Sequence, residues 1–178
     1  EAGLRTDDWT ALLGVAGDLG IRKLKLLGGE PLLRRDLPEI VASVRHQQPD
    51  MDISVITSGV TGVRSVERLF DVGLSRCNVS VHGFGVEEMA RHGGTPSAHR
   101  HRSEILAFLV RSGRPVKLNY VYTGPGVEPD LAGLLDWASG EPVVVNVPLT
   151  GPGRTKPSTL LTWLFSVPFP SRPPLFGV

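Results

Sequence analysis

The chain has 178 residues, of which 40% are hydrophobic, and its formal net charge is +1 at pH 7. This amount of apolar material can form the core of one domain, and the near-neutral charge gives no reason to expect nucleic acid or an anionic membrane as a partner. No apolar run reaches the roughly 20 residues of a spanning helix, and no signal pattern opens the sequence, so a soluble cytoplasmic protein is expected. The single cysteine, Cys77, excludes an internal disulfide and an all-cysteine metal site within the chain.

The chain alternates between helical segments and short apolar runs of strand length. The first helix is predicted at Thr6–Leu19, with Thr6 as its N-cap and Gly20 as its stop. Strands are predicted at Arg22–Leu27, Asp52–Thr57, Arg76–Val81, Pro115–Tyr122 and Pro142–Leu149. Further helices are predicted from an Asp36 capping box to about His46, and at Val63–Val72, Ser103–Ser112 and Asp130–Ser139. This spacing is typical of parallel strands joined by right-handed crossovers, as in barrels and doubly wound sheets.

The two ends of the sequence are atypical for such a series. A helix precedes the first strand, so we expect one more strand upstream of Glu1, which stands where a Met would open a reading frame. From about residue 151 the composition changes, and the last segment is rich in proline, which neither a helix nor a central strand accommodates. We therefore expect a core over residues 1–153 and an atypical Pro-rich tail over residues 154–178.

Polar or small residues follow each predicted strand. The strand ends carry Gly28-Gly29-Glu30, Thr57-Ser58-Gly59, Ser80 with His82 and Gly83, Asn119 with Tyr120 and Tyr122, and Pro148-Leu149-Thr150-Gly151. Because the carboxyl ends of parallel strands meet at the same edge, these residues are expected to line one ligand-binding mouth.

The most specific of these strand ends is Gly28-Gly29-Glu30-Pro31. Two glycines let the backbone approach a ligand with no Cβ in the way, and Pro31 fixes the exit direction of the chain. Glu30 adds a carboxylate, so the corner suits a ligand ammonium group, which offers three donors and a positive charge.

These residues resemble the radical S-adenosylmethionine (SAM) superfamily. Leu27-Gly28-Gly29-Glu30-Pro31-Leu32 is similar to its GGEP motif, and Ile56-Thr57-Ser58-Gly59 is similar to its TNG strand end, with Ser58 in place of Asn. Asn78-Val79-Ser80-Val81-His82-Gly83 resembles the fourth-strand motif, and Lys117-Leu118-Asn119-Tyr120-Val121 resembles the fifth strand. The resemblance implies an α/β fold, a partial (βα)6 TIM-like barrel of parallel strands that lacks its first strand.

The resemblance also implies a cofactor and a chemistry. Intact relatives cleave SAM reductively at a [4Fe–4S] cluster to give a 5′-deoxyadenosyl radical, with a reductant such as flavodoxin or ferredoxin. Molybdenum-cofactor GTP cyclases and peptide-modifying maturases share this layout, so the substrate, a small molecule or a peptide, stays open. The implied cofactor-binding residues are Gly28, Gly29 and Glu30 at the ammonium, Ser58, Ser80 and His82 at the polar middle of SAM, and Asn119 on the fifth strand at the adenine side. Pro31 and Thr57 complete the implied set.

One motif of the family is missing. The CxxxCxxC sequence that holds the cluster is absent, and Cys77 cannot replace three thiolate ligands. The chain is therefore expected to be inactive on its own, with no metal ligands. Two alternatives stay open: a cluster-free module that keeps a SAM pocket, and an unrelated TIM-like lyase or aldolase, for which the strand ends supply no clear lysine or carboxylate pair. The cation-rich group of His92, His99 and His101 is interpreted as a solvated loop.

Overall fold

The computed structural model describes residues 4–122 and 125–147. It contains one parallel sheet of five strands in the order β1-β2-β3-β4-β5. The strands are β1 Lys23–Leu26, β2 Asp52–Thr57, β3 Arg76–Val81, β4 Val116–Tyr120 and β5 Val144–Asn146. Neighbours in the sequence are neighbours in the sheet, which is the winding of a barrel; a doubly wound sheet would reverse its order part-way. The predicted α/β fold of parallel strands is confirmed, with β2 and β3 at their predicted bounds.

Six helices and one 3₁₀ turn connect and precede the strands in the described part of the chain. They are α1 Thr6–Asp18, the 3₁₀ turn Pro31–Leu33, α2 Leu37–Gln47, α3 Val63–Asp71, α4 Val86–Arg91, α5 Pro96–Arg111 and α6 Glu128–Ser139. None of the helices described is long and apolar enough to cross a membrane. The predicted tail over residues 154–178, and the end of the predicted fifth strand, lie outside the described residues.

Two helices are not capped as the sequence predicted. The N-cap of α1 is Arg5, and Thr6 is already helical. Asp36 is the N-cap of α2 but its side chain does not cap the helix, because Arg34 and Thr6 donate to its carboxylate instead. The guanidinium of Arg34 donates to both carboxylate oxygens, and such a bidentate ion pair is stronger than a single hydrogen bond from a backbone N–H.

The segment predicted as a solvated loop is also helical. Helix α5 begins at Pro96, whereas the sequence predicted that it begins at Ser103. The hydroxyl of Thr95 caps this helix by accepting a hydrogen bond from the N–H of Ala98 at 3.2 Å. Two of the three histidines of the predicted loop therefore lie on α5, where His99 and His101 contact the carbonyls of Phe84 and Val60. The short helix α4 was not predicted.

One face of the sheet is apolar and forms the core with the helices. It carries the alternate strand positions Ile53, Val55, Cys77, Val79, Val81, Val116, Leu118 and Tyr120, each at most 4% exposed. Helix residues such as Val44, Leu69 and Leu109 belong to the same buried cluster. Burial of one such side chain contributes about 1.5–3 kcal/mol, so this layer provides most of the driving force for folding.

The opposite face, called the inward face below, is polar. Its positions follow from the alternation of the strands and from their register. Across the sheet, Lys25 aligns with Ser54 and Arg76, then Ile56 with Asn78, Lys117 and Val144, and finally Ser80 with Asn119 and Asn146. In a barrel wound in chain order the helices cover the outside, so this face points toward the barrel axis.

Candidate functional site

The backbone at Gly28 and Gly29 is open on its Cβ side. A Cβ added at either residue would meet no atom within 4 Å among the described residues, and neither residue has a positive φ. By contrast, a Cβ at Gly83 would lie 2.4 Å from the backbone nitrogen of Met89. Gly83 is thus required by packing, whereas neither packing nor backbone conformation within the described chain requires Gly28 or Gly29. The open backbone leaves room for a ligand to approach closely.

The Glu30 carboxylate joins the end of β1 to the end of β2. Its Oε1 accepts hydrogen bonds from the N–H of Leu32 at 3.1 Å and from the hydroxyl of Thr57 at 2.8 Å. Its Oε2 accepts from the N–H and the hydroxyl of Ser58, at 2.8 and 2.5 Å. A carboxylate offers about four acceptor positions, so these donors occupy its capacity.

The carbonyls of Gly28 and Gly29, unlike the Glu30 carboxylate, keep their acceptor positions open among the described residues. Neither carbonyl accepts a hydrogen bond from any residue that the structure describes. Two acceptors next to an anchored negative charge form a corner suited to a cationic donor.

Thr57 and Ser58 lie against Glu30, whereas the sequence predicted only that they share a strand-end mouth with it. Thr57 is only 1% exposed and lies on the apolar face of the sheet; its hydroxyl donates to Glu30 and accepts from the N–H of Gly59 at 2.9 Å. The hydroxyl of Ser58 also donates to Glu30. Both side chains therefore hold the carboxylate in one orientation.

Ser80 and Asn119 are brought together by strand register. They are aligned partners of β3 and β4, and Asn119 is in turn aligned with Asn146 on β5. The amide of Asn146 donates to the side-chain carbonyl of Asn119 at 3.2 Å. Sequence reasoning missed Asn146, although its place in an otherwise valine strand marks a polar position on the inward face.

His82 lies two residues after Ser80, so it continues the inward face just beyond the end of β3. Its side chain is exposed, and its ring centroid lies 6.3 Å from that of His92. Desolvation, followed by the charges of His92 and Arg102, lowers the pKa of His82 below its ordinary value of 6.5. At neutral pH the ring is therefore uncharged and can donate or accept a hydrogen bond.

Two charged residues that sequence reasoning missed hold the loop after β3. The guanidinium of Arg102 is 4% exposed and donates to the carbonyl of Gly83 at 2.6 Å and to that of Phe84 at 3.2 Å. From α6, Asp130 accepts from the N–H groups of Phe84 and Gly85, both at 2.7 Å. The loop after β3 is therefore held by a cation on α5, which binds its carbonyls, and by an anion on α6, which binds its N–H groups.

The described residues do not fit a [4Fe–4S] cluster. Cys77 is 0% exposed on the apolar face, and burial, with a smaller effect of the Glu30 charge, raises the pKa of its thiol to about 12. Iron requires the thiolate, which this environment disfavours. Within residues 4–122 and 125–147, no group of three or more His, Cys, Asp or Glu side chains could hold a metal ion.

The family model of the radical SAM superfamily matches residues 3–138. The chain belongs to the radical SAM superfamily. It is 34% identical over 119 residues to a PqqA peptide cyclase of Granulibacter bethesdensis, covering 66% of this chain and 31% of that protein. It is 33% identical over 139 residues to a GTP 3′,8-cyclase of Paenarthrobacter nicotinovorans, covering 78% of this chain and 39% of that protein. The chain thus spans about a third of the length of these relatives.

Solved structures show the same fold. SuiB of Streptococcus suis, crystallised with S-adenosylmethionine, superposes with a TM-score of 0.70 at 18% identity, covering 86% of this chain and 35% of that one. HydG, a maturase of the [FeFe]-hydrogenase, superposes with a TM-score of 0.64 at 12% identity, covering 85% and 37%. Radical SAM membership and the partial TIM-like barrel are therefore confirmed, and the alternative of an unrelated lyase or aldolase is wrong.

Proposed function

We propose that this chain carries the SAM-binding part of a radical SAM protein. The observation that carries the proposal is the corner at the end of β1, where Gly28 and Gly29 expose backbone that nothing in the described chain covers. The anchored Glu30 beside it supplies a fixed negative charge. Family membership gives that corner its ligand, because the family is named for SAM.

The binding roles are assigned by position. The carbonyls of Gly28 and Gly29 accept from the SAM ammonium, and Pro31 begins the 3₁₀ turn that carries Leu32 to Glu30. Glu30 stabilises the positive charge, while Thr57 and Ser58 fix its carboxylate.

The remaining site residues contact the rest of the cofactor. Ser80 and His82 lie at the polar middle of SAM, and Asn119, oriented by Asn146, lies at its adenine side. Each of these side chains except His82 is half-buried, and the hydrogen bond between Asn146 and Asn119 orients the Asn119 amide.

The cluster chemistry does not follow from this chain's described residues. In a radical SAM enzyme the cluster supplies the electron that cleaves SAM, and Cys77 is too buried to serve as its ligand. The chain therefore binds SAM without cleaving it by itself. A reductant of the flavodoxin or ferredoxin type and a substrate belong to the proposal for the whole protein; the names of the relatives include both GTP and a peptide.

A second candidate function is a cluster-free SAM-binding or partner module. The observation that favours it is the lack of any metal-binding group among the described residues. It shares the SAM pocket with the first proposal and differs only in whether the whole protein cleaves SAM.

A titration with three ligands tests the pocket that both candidates share. SAM, S-adenosylhomocysteine and 5′-methylthioadenosine are titrated calorimetrically into the chain; the last two are both uncharged at sulfur, and only the last lacks the ammonium and carboxylate. Because the loss of charged hydrogen bonds costs about 1.5–3 kcal/mol, SAM and S-adenosylhomocysteine are each expected to bind about 10- to 100-fold more tightly than 5′-methylthioadenosine. Equal affinities would contradict the assigned role of the β1 corner.

A further inference from the structure

A cavity lies between α5 and α6, on the outside of the sheet and away from the β1 corner. Its volume is about 270 Å³, and its apolar walls are formed by Leu106 and Val110 on α5 and by the rings of Phe84 and Trp137. The centroids of the two rings are 5.7 Å apart, and the rings are tilted by 40°. Because small-molecule pockets measure roughly 300–1,000 Å³, this α5–α6 cavity has room for a ligand built on about one aromatic ring.

The aromatic wall of the α5–α6 cavity is held in place by hydrogen bonds. The N–H of Phe84 donates to Asp130 at 2.7 Å, and the carbonyl of Phe84 accepts from Arg102 at 3.2 Å. The ring of Phe84 therefore stands on a backbone segment that is fixed from both neighbouring helices. A wall that is already ordered lowers the cost of binding a ligand against it.

Two opposite charges line the same cavity without neutralising each other. Arg111 is the last residue of α5, and Glu141 follows the end of α6. Both helices return from parallel strands, so they run in the same direction and their last residues lie at the same end of the cavity. Within the described chain the two side chains form no ion pair with each other, and neither has another hydrogen-bond or ion-pair partner. A ligand can therefore pair with both.

We infer that the α5–α6 cavity binds a free amino acid with an aromatic side chain. The ring of the ligand packs against Phe84 and Trp137, its carboxylate pairs with Arg111, and its ammonium pairs with Glu141. A phosphate fits poorly, because the carboxylate of Glu141 would repel it. A residue inside a peptide chain lacks both charges, which leaves the free amino acid as the matching ligand. The inference is independent of SAM binding, because the cavity shares no residue with the β1 corner.

The test is an NMR titration of the whole ¹⁵N-labelled chain with L-phenylalanine. The indole N–H signal of Trp137, assigned by its loss in Trp137→Phe, reports on binding at this cavity. Three further ligands each lack one feature of the proposed ligand. N-acetyl-L-phenylalanine lacks the ammonium, L-phenylalaninamide lacks the carboxylate, and L-alanine lacks the ring.

The variants remove the two charges one at a time. Arg111→Met and Glu141→Gln change residues that line the cavity. Arg100→Met and Glu104→Gln are the matched controls, because they remove the same charges from exposed positions of α5 that do not line it. The side chains of Arg111 and Glu141 make no hydrogen bond or ion pair among the described residues, so both cavity variants are expected to fold.

L-phenylalanine is expected to bind with a Kd on the order of 0.1–1 mM, as is typical of a ligand with so few atoms. Each of the three other ligands, and each of the two cavity variants, is expected to weaken binding about fivefold or more, whereas the control variants should bind like wild type.

Several results would overturn the inference. One is a Trp137 signal that does not move at about 10 mM L-phenylalanine, a concentration well above the expected Kd. Equal binding of N-acetyl-L-phenylalanine or of L-phenylalaninamide would show that Glu141 or Arg111, respectively, does not contact the ligand. Equal binding of L-alanine would exclude the aromatic wall. Losses in the control variants as large as those in the cavity variants would point to a general effect of charge.

Discussion

Ser58 donates two hydrogen bonds to the same carboxylate oxygen of Glu30, through its backbone N–H at 2.8 Å and its hydroxyl at 2.5 Å. The residues belong to different strand ends, so this contact fixes the end of β1 relative to the end of β2. The glycine pair that precedes Glu30 is thereby held in one position before any ligand arrives. Such preorganisation lowers the cost of binding.

Replacing Glu30 by Gln is expected to weaken both the fold and the site. The amide would place a donor against donors that now share the carboxylate, at a cost of about 1–3 kcal/mol in the free energy of unfolding. Denaturant unfolding measures this cost, and SAM affinity is expected to fall with it.

The control and a double variant separate this contact from a general effect of charge. Glu67→Gln, at an exposed position of α3, removes the same charge and should change neither quantity. Ser58→Ala combined with Glu30→Gln should cost less than the sum of the two single changes. Strict additivity would show that the two side chains are not coupled.

Asp130→Asn is expected to loosen the loop after β3. A neutral amide has only one acceptor atom for the N–H groups of Phe84 and Gly85, which now bind different oxygens of the carboxylate. We expect a loss of about 1–3 kcal/mol in unfolding free energy and faster hydrogen exchange at these two amides. Asp136→Asn, exposed on the same helix, should change neither; equal exchange rates in both variants would show that Asp130 does not hold the loop.

The contact of Asp36 with Arg34 predicts a pH dependence of stability. Hydrogen bonds from Arg34 and then from Thr6 lower the pKa of Asp36 from 3.8 to about 2. Because the folded-state pKa is depressed, the stabilisation is fully present above about pH 4 and is lost as the pH falls toward 2. The difference in stability between wild type and Asp36→Asn should therefore shrink across this interval. A difference that stays constant down to pH 2 would contradict the assignment.

Cys77 is expected to be chemically inert in the folded chain. Its thiol is buried, and its pKa is raised to about 12, so little thiolate exists near neutral pH. Ellman's reagent should react only after unfolding, and anaerobic reconstitution with iron and sulfide should leave the chain colourless. A stable brown protein with about four irons per chain would contradict the account, because it requires ligands that the described residues lack.

The sequence predicted the sheet more accurately than the caps and loops. β2 and β3 were predicted at their true bounds, because their apolar runs, such as Ile53–Val55, are bounded by turn residues. These runs fill a layer that is buried under helices. The start of α5 was missed because Arg102 looks like a solvated cation in the sequence, whereas the fold buries it on two loop carbonyls. Partners so distant in sequence leave no local pattern.

In the candidate site, too, local patterns were readable from the sequence and partners distant in sequence were not. The position of Glu30 at a strand end was readable from its flanking glycines and proline. Its four hydrogen-bond donors were not, because three of the bonds come from the end of β2, and only the fold brings them together. The pairing of Asn119 with Asn146 likewise depends on register.

The most direct test of the central claim is SAM binding by Gly28→Ala and Gly29→Ala, compared with Gly133→Ala. None of these glycines has a positive φ, and an added Cβ meets nothing within 4 Å of the described chain at any of them, so all three variants should fold. Gly133→Ala should be slightly more stable than wild type, because alanine favours a helix interior over glycine. If Gly28 and Gly29 leave room for SAM, each of their variants should weaken SAM binding about tenfold or more, while Gly133→Ala on α6 should bind like wild type. Equal SAM affinity in all three variants would contradict the claim that the β1 corner is the SAM-binding site.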